Sequence, residues 1–155
     1  MKAIYFLLLF SLIFSGCSTK IVQKHSLKTK NSTSLALYDE YKRWYKTPYK
    51  YGGVSKDGVD CSGFVQSVYR NAFGVRIPRT TKEQSKIGYL ISKNSTDSGD
   101  VLLFKTGYDS FHSAIYLEDG NFIHSSSKYG VMISNLNNPY WKRTYWQSRR
   151  VLNLN

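Results

Sequence analysis

An α+β fold, helices first and a small antiparallel sheet after them, is predicted by the order in which two apolar patterns appear. Between residues 35 and 73 the apolar residues recur at helical spacing. From residue 101 onward they fall into short runs bounded by Gly, Asn or Asp, the pattern of strands and turns. Helices followed by strands argue against a parallel, doubly wound sheet, in which the two alternate. Residues 35–155 are enough chain for one compact core and too little for two.

Leu35, Tyr38, Tyr41 and Tyr45 predict a first helix, with Pro48 as its stop and Tyr49–Gly53 as a turn. Asp60 is a good N-cap, so a second helix should begin at Cys61. Its packed face carries Phe64, Val65, Val68, Tyr69 and Phe73. Pro78-Arg79-Thr80-Thr81 opens a short helical piece, with Thr80 or Thr81 as cap and Gln84 near the third helical position. Strands are expected at Val101–Phe104, Ser113–Leu117, Asn121–His124, Val131–Ile133 and Ser148–Leu152.

Ahead of this domain, one positive charge at Lys2 precedes an apolar run from Ala3 to Phe14, too short to span a bilayer comfortably and shaped like a secretory signal. The run ends in Ser15-Gly16-Cys17 and resembles the bacterial lipobox, which implies cleavage before Cys17 and lipid on its new N-terminus. Phe14 stands where Leu is usual. An uncleaved anchor, or a plain signal with Cys17 incidental, are the alternatives. Ser18, not Asp, follows the cysteine, which in a Gram-negative cell points to an outer-membrane address facing the periplasm. Residues 17–34 read as a polar, basic, flexible tether of roughly 20–25 Å root-mean-square reach.

The chain carries 22 Lys and Arg against 10 Asp and Glu, a charge of +12 that falls to +11 once residues 1–16 are removed. Such an excess suits polyanionic surroundings. The export signal argues against nucleic acid as the partner and favours wall polymers or lipid headgroups, with plain solubility as the bland account.

If Cys17 is acylated, Cys61 is the remaining thiol of an exported protein, where unpaired cysteines are unusual unless their reactivity is used. A helix N-terminus favours the thiolate. His112 and His124 downstream supply a base and a residue to orient it. The competing accounts are a Cys17–Cys61 disulfide, an inert buried thiol, or Cys61, His112 and His124 as three zinc ligands. No short metal-type pair such as CxxC is present, so no metal and no cofactor are expected. Asp60 reads as a helix cap rather than a catalytic acid, and Arg79 as either a substrate-carboxylate grip or part of a surface network.

Seven segments in order resemble the NlpC-like family of bacterial cell-wall cysteine peptidases. They are Thr47-Pro48-Tyr49 with Gly52-Gly53; Asp60-Cys61-Ser62-Gly63-Phe64-Val65; Pro78-Arg79-Thr80-Thr81 with Gln84; Gly99-Asp100 through Phe104; His112 through Leu117; Phe122 through Ser126; and Gly130-Val131 through Tyr140-Trp141 to Val151. The stretch Asn138–Arg143 is similar to the small outer-membrane murein endopeptidase lipoproteins of that family. Ser113-Ala114 departs from the family's usual Val-Gly. The resemblance implies a compact papain-like fold and hydrolysis of an amide bond in peptidoglycan stems or crosslinks; a monomer held to the membrane through Cys17 is expected. It implies Cys61 as nucleophile, His112 as the proton carrier and His124 in the third position, where many papain-like enzymes have Asn. Tyr49 would support the oxyanion together with the backbone N–H of Cys61 or Ser62. A non-catalytic wall-binding lipoprotein and another thiol acyl-transfer enzyme, an amidase or transpeptidase, remain alternatives.

Overall fold

The computed structural model describes residues 32–152; Cys17, the signal segment and most of the expected tether lie outside these residues. Helix α1 covers residues 32–44. It begins ahead of residue 35 because polar groups hold its first turn. Ser34 Oγ and Tyr38 OH both donate to the Glu118 carboxylate, at 3.3 and 3.1 Å. It ends before Pro48: Lys46 takes a left-handed φ of 61°, and its N–H turns to the Val131 carbonyl at 3.1 Å.

The 49–60 stretch holds more than the expected turn. Strands β1 (Val54–Ser55) and β2 (Gly58–Val59) form a small antiparallel hairpin. Helix α2 (Cys61–Phe73) starts where its cap predicts: the Asp60 carboxylate accepts the Gly63 N–H at 2.7 Å, and Gly74 closes the helix with φ 67°. In helix α3 (Thr81–Gln84) the cap is Thr80 and the third position is Glu83, not Gln84; the two complete a capping box.

The remaining strands are β3 (Tyr89–Ile91), β4 (Val101–Gly107), β5 (Ser110–Tyr116), β6 (Asn121–Ser126), β7 (Gly130–Asn135) and β8 (Tyr145–Arg150). They form one sheet in the order β3-β8-β4-β5-β6-β7, antiparallel throughout. With the helices this is the expected α+β class. A short helix α4 (Pro139–Thr144) precedes β8, capped by Asn138 with Pro at its start.

Both faces of the sheet are covered. On one, Val101, Leu103, Ile115 and Ile123 pack against Phe64, Val65, Val68 and Tyr69 of α2 and Leu37 of α1. On the other, Leu102, Phe104, Ala114 and Phe122 pack against Trp141 and Tyr145. Strand β4 lies mid-sheet between these layers, which is why Val101–Phe104 reads as an unbroken apolar run instead of an alternating one. Among the described residues no helix is long and apolar enough to cross a membrane.

Candidate active site

The site lies where β5 and β6 part. They are joined by a tight turn with positive φ at Asp119 and Gly120, and they pair at Tyr116–Phe122 and Ile115–Ile123. Beyond that pair the ladder stops, and the diverging ends carry His112 and His124. The first turn of α2 comes into this opening, and the Ser113 N–H hydrogen-bonds the Cys61 sulfur.

Cys61, His112, His124 and Tyr49 line one open cleft of about 370 Å³, with Ser126, Tyr140 and Trp141 on its walls. Cys61 is the first residue of α2; it is 8% exposed and carries no disulfide. Burial pushes its thiol up. Hydrogen bonding to His112 and the charge of that ring, the Ser113 N–H and the Thr81 hydroxyl outweigh burial and bring it down to about 7. A helix start at which the thiol pKa is lowered is the kind of environment in which cysteines react.

Behind the thiol the polar groups run in file. His112 Nε2 lies 3.0 Å from His124 Nδ1, and His124 Nε2 lies 2.9 Å from Ser134 Oγ. With Nε2 engaged, Nδ1 is the His112 nitrogen left for the sulfur. Burial, then the charge of His112, holds His124 well below the ordinary imidazole value, so His124 is neutral. A neutral His124 that accepts at Nδ1 carries its proton on Nε2 and donates it to Ser134. Trp141 packs against both rings, tilted 31° to His112 at a centroid distance of 5.3 Å and edge-on to His124 at 5.0 Å.

Tyr49 lines the cleft with the thiol and is held by an isolated bridge to Val59, whose N–H donates to Pro48 O at 3.0 Å. Burial and the negative charges of Cys61 and Asp60 raise its phenol, so it stays a donor. In α2 the first ladder bond runs from Phe64 N–H to Asp60 O, and Gly63 N–H goes to the Asp60 side chain. The N–H groups of Cys61 and Ser62 therefore have no helical acceptor. The Ser62 side chain turns away from the thiol, donating to Asp60 Oδ1 at 3.3 Å and lining a neighbouring cleft with Tyr51 and Arg79. Arg79 clamps Asp60 through two bonds of 2.9 and 2.7 Å, which makes it first a partner of the cap. Among the described residues no group of three or more His, Cys, Asp or Glu side chains is disposed to hold a metal. The two facing imidazole nitrogens point at each other instead of converging on a third atom.

Ser134, Trp141 and the Thr81 hydroxyl belong to the site although residue type alone did not single them out for it. Ser134 pairs with Phe122 across β6 and β7, which puts it diagonal to His124 on the same face. Only the register of that hairpin would have pointed to it.

The NlpC/P60 family profile matches residues 46–150, and the chain belongs to that family. It is 40% identical over 149 residues to the probable endopeptidase NlpC of Escherichia coli, covering 94% of this chain and 97% of that one. It is 43% identical over 116 residues to the murein DD-endopeptidase MepS/murein LD-carboxypeptidase of Escherichia coli, covering 75% of this chain and 62% of the relative. Among solved structures, an NlpC/P60 family protein from Bacillus cereus matches with TM-score 0.70 and 36% identity over 77% of this chain and 40% of that longer one. The NlpC/p60 domain of the peptidoglycan hydrolase SagA matches with TM-score 0.65 and 28% identity over 76% and 98%.

Proposed function

We propose that this protein is a peptidoglycan endopeptidase that hydrolyses an amide bond in cell-wall peptides, with Cys61 as its nucleophile. The observation that carries the mechanism is the Cys61 thiol, brought down to about 7 in an open cleft beside the His112–His124–Ser134 file. The substrate class follows from the murein and peptidoglycan hydrolases named among the relatives.

The Cys61 proton passes to His112 Nδ1 and leaves a thiolate–imidazolium pair. Attack on the amide carbonyl develops an oxyanion, and the N–H groups of Cys61 and Ser62 and the Tyr49 hydroxyl are the donors at hand. His112 then gives its proton to the leaving amine, and water releases the acyl group by the reverse sequence. His124 receives the Nε2–H bond of His112 and fixes that ring's orientation without competing for its proton, because it is itself held neutral. Among wall bonds a crosslink amide is favoured, supported by the relative named as a DD-endopeptidase. Lipid on Cys17 and an outer-membrane position are part of the same proposal and rest on the sequence of residues 1–18. No metal or cofactor enters the chemistry, and the enzyme acts as a monomer.

Digestion of sacculi and of defined muropeptides, read by mass spectrometry, tests it. Wild type should release pairs of fragments whose masses sum to the parent plus one water, cut at a stem or crosslink amide, and Cys61→Ala should release none above background. Equal fragment patterns from the two proteins would exclude a Cys61 hydrolase; joined products would make the enzyme a transpeptidase.

A further inference from the structure

The sulfur also meets a second polar chain. Cys61 Sγ lies 3.7 Å from Thr81 Oγ1, and Thr81 Oγ1 lies 3.3 Å from Ser113 Oγ. All three groups are buried, Ser113 completely. Among the described residues the Thr81 hydroxyl is the hydrogen-bond partner of the Ser113 hydroxyl. That gives the chain a direction. With Ser113 donating to Thr81 and Thr81 to the sulfur, both hydroxyl protons are used and any S–H proton goes to His112; an ionised sulfur accepts the Thr81 bond more strongly than a thiol does. In the reverse direction the S–H donates to Thr81 and Thr81 to Ser113, and the buried Ser113 proton is left without an acceptor, which is unfavourable.

Thr81 is held in place from elsewhere. The Thr80–Glu83 capping box fixes its turn. The buried Gln84 amide donates to Ser62 O at 3.1 Å and to Pro78 O at 2.9 Å, which ties that turn to the start of α2. Ser113 is fixed by β5, whose own N–H also reaches the sulfur.

We propose that Ser113 and Thr81 form a two-hydroxyl relay that donates a hydrogen bond to the Cys61 sulfur and favours its thiolate, in addition to the stabilisation that His112 supplies. Thr81 touches the reacting sulfur; Ser113 is a positioning residue that acts through Thr81. Hydrogen bonds in a chain polarise one another, so the effect of Ser113 should depend on Thr81. The relay rests on Cys61 being the nucleophile, yet its test is separate from the peptidase assay.

The full-length protein is alkylated with iodoacetamide from pH 5 to 10, and modification of the Cys61 peptide is followed by mass spectrometry. Thr81→Val should move the midpoint of the profile upward and slow alkylation at pH 6.5 by about three- to tenfold, with no loss of rate at the alkaline plateau. Thr81→Ser should stay near wild type. Ser113→Ala should show a smaller upward move that disappears in the Thr81→Val background. Thermal melts report folding, and should Thr81→Val not fold, Ser113→Ala alone decides. An unchanged midpoint in Thr81→Val or in Ser113→Ala, or a Ser113→Ala effect that persists without the Thr81 hydroxyl, overturns the relay. Failure of the nucleophile assignment would appear instead as muropeptide cleavage by Cys61→Ala.

Discussion

Gly63→Ala sets two magnitudes of opposite sign against each other. Gly63 lies inside α2, where alanine is favoured over glycine by about 1 kcal/mol, so helix propensity alone predicts a more stable protein. The packing predicts the reverse. A Cβ at this position would sit 2.6 Å from the Gly53 carbonyl oxygen, 3.0 Å from Asp60 Oδ1 and 3.3 Å from Arg79 Cζ. The nearest of these is backbone, so the 50–53 turn has to retreat by the better part of an ångström.

That turn is anchored at the same oxygen. Gly53 O accepts the Asp60 N–H at 3.2 Å and Arg79 Nη2 at 3.3 Å. Losing both costs about 1 kcal/mol each, and forcing a methyl into a packed site costs about 1–3 kcal/mol, overlapping with that loss. Against the propensity gain, the net is a destabilisation of about 1–3 kcal/mol, which lowers a urea midpoint by about 1 M for a domain of this size. Because Tyr49 leads into the turn, its hydroxyl should also move off the sulfur and cleavage should fall further than stability does. Urea unfolding followed by tryptophan fluorescence measures the first effect, and muropeptide cleavage at a pH where the variant is fully folded measures the second. A midpoint equal to or above wild type would refute the proposed close approach of α2 to the turn.

Two further outcomes follow from the protonation states. Cleavage at low substrate concentration should rise with pH along a limb with a midpoint near 7, set by Cys61; a limb near the ordinary thiol value would mean that His112, Ser113 and Thr81 do not stabilise the thiolate. His124, held well below its ordinary value, binds a proton more readily in the unfolded chain than in the folded one. Stability should therefore fall as pH drops below about 6.5, with this residue contributing at most about 1.4 kcal/mol per pH unit. His124→Asn removes that component while retaining an acceptor for His112, so its stability should decline less steeply under acid and its activity should exceed that of His124→Ala. Parallel stability curves for His124→Asn and wild type would show that the buried ring does not carry the linkage.

The parts of the fold legible in the sequence are those written in periodicity and caps. The α2 helix was visible from Phe64, Val65, Val68 and Tyr69, and its start from Asp60. The central strands were visible as short apolar runs. Strand β3 was not: it is three residues long, with Tyr89 and Leu90 largely exposed, and it is defined by pairing to β8 rather than by a buried face. The β1–β2 hairpin is too short to show a period, and the early start of α1 depends on Ser34 and Tyr38 reaching Glu118 across the fold. At the site, the thiol and imidazoles were legible because their chemistry is rare. Ser134 and the Thr81–Ser113 pair were not, since a hydroxyl acquires a role only from strand register and from which neighbours it meets. Ser113 departs from the family's usual Val-Gly in the sequence itself, but its bond to Thr81 depends on the docking of α3 on β5.

Asp60, next to the proposed nucleophile, has the residue type of a third acid, and its surroundings show why it does not serve as one. Its carboxylate accepts from Gly63 N–H, Gly52 N–H, Ser62 Oγ and both terminal nitrogens of Arg79, at 2.7, 2.9, 3.3, 2.9 and 2.7 Å. Those five donors occupy about all the lone-pair capacity a carboxylate has. Burial pushes its acidity toward the neutral form, but the Arg79 bonds and the two N–H groups prevail and hold it below the usual carboxylate range. A saturated, ionised carboxylate has neither a proton to give at neutral pH nor a site to receive one from substrate. An uncompensated anion there would also oppose the thiolate one residue away. Arg79 cancels that charge, so the capping bonds that start α2 are kept without an electrostatic penalty on Cys61. The pairing of Asp60 with Arg79 is thus the condition under which a helix cap and an ionised thiol can stand side by side.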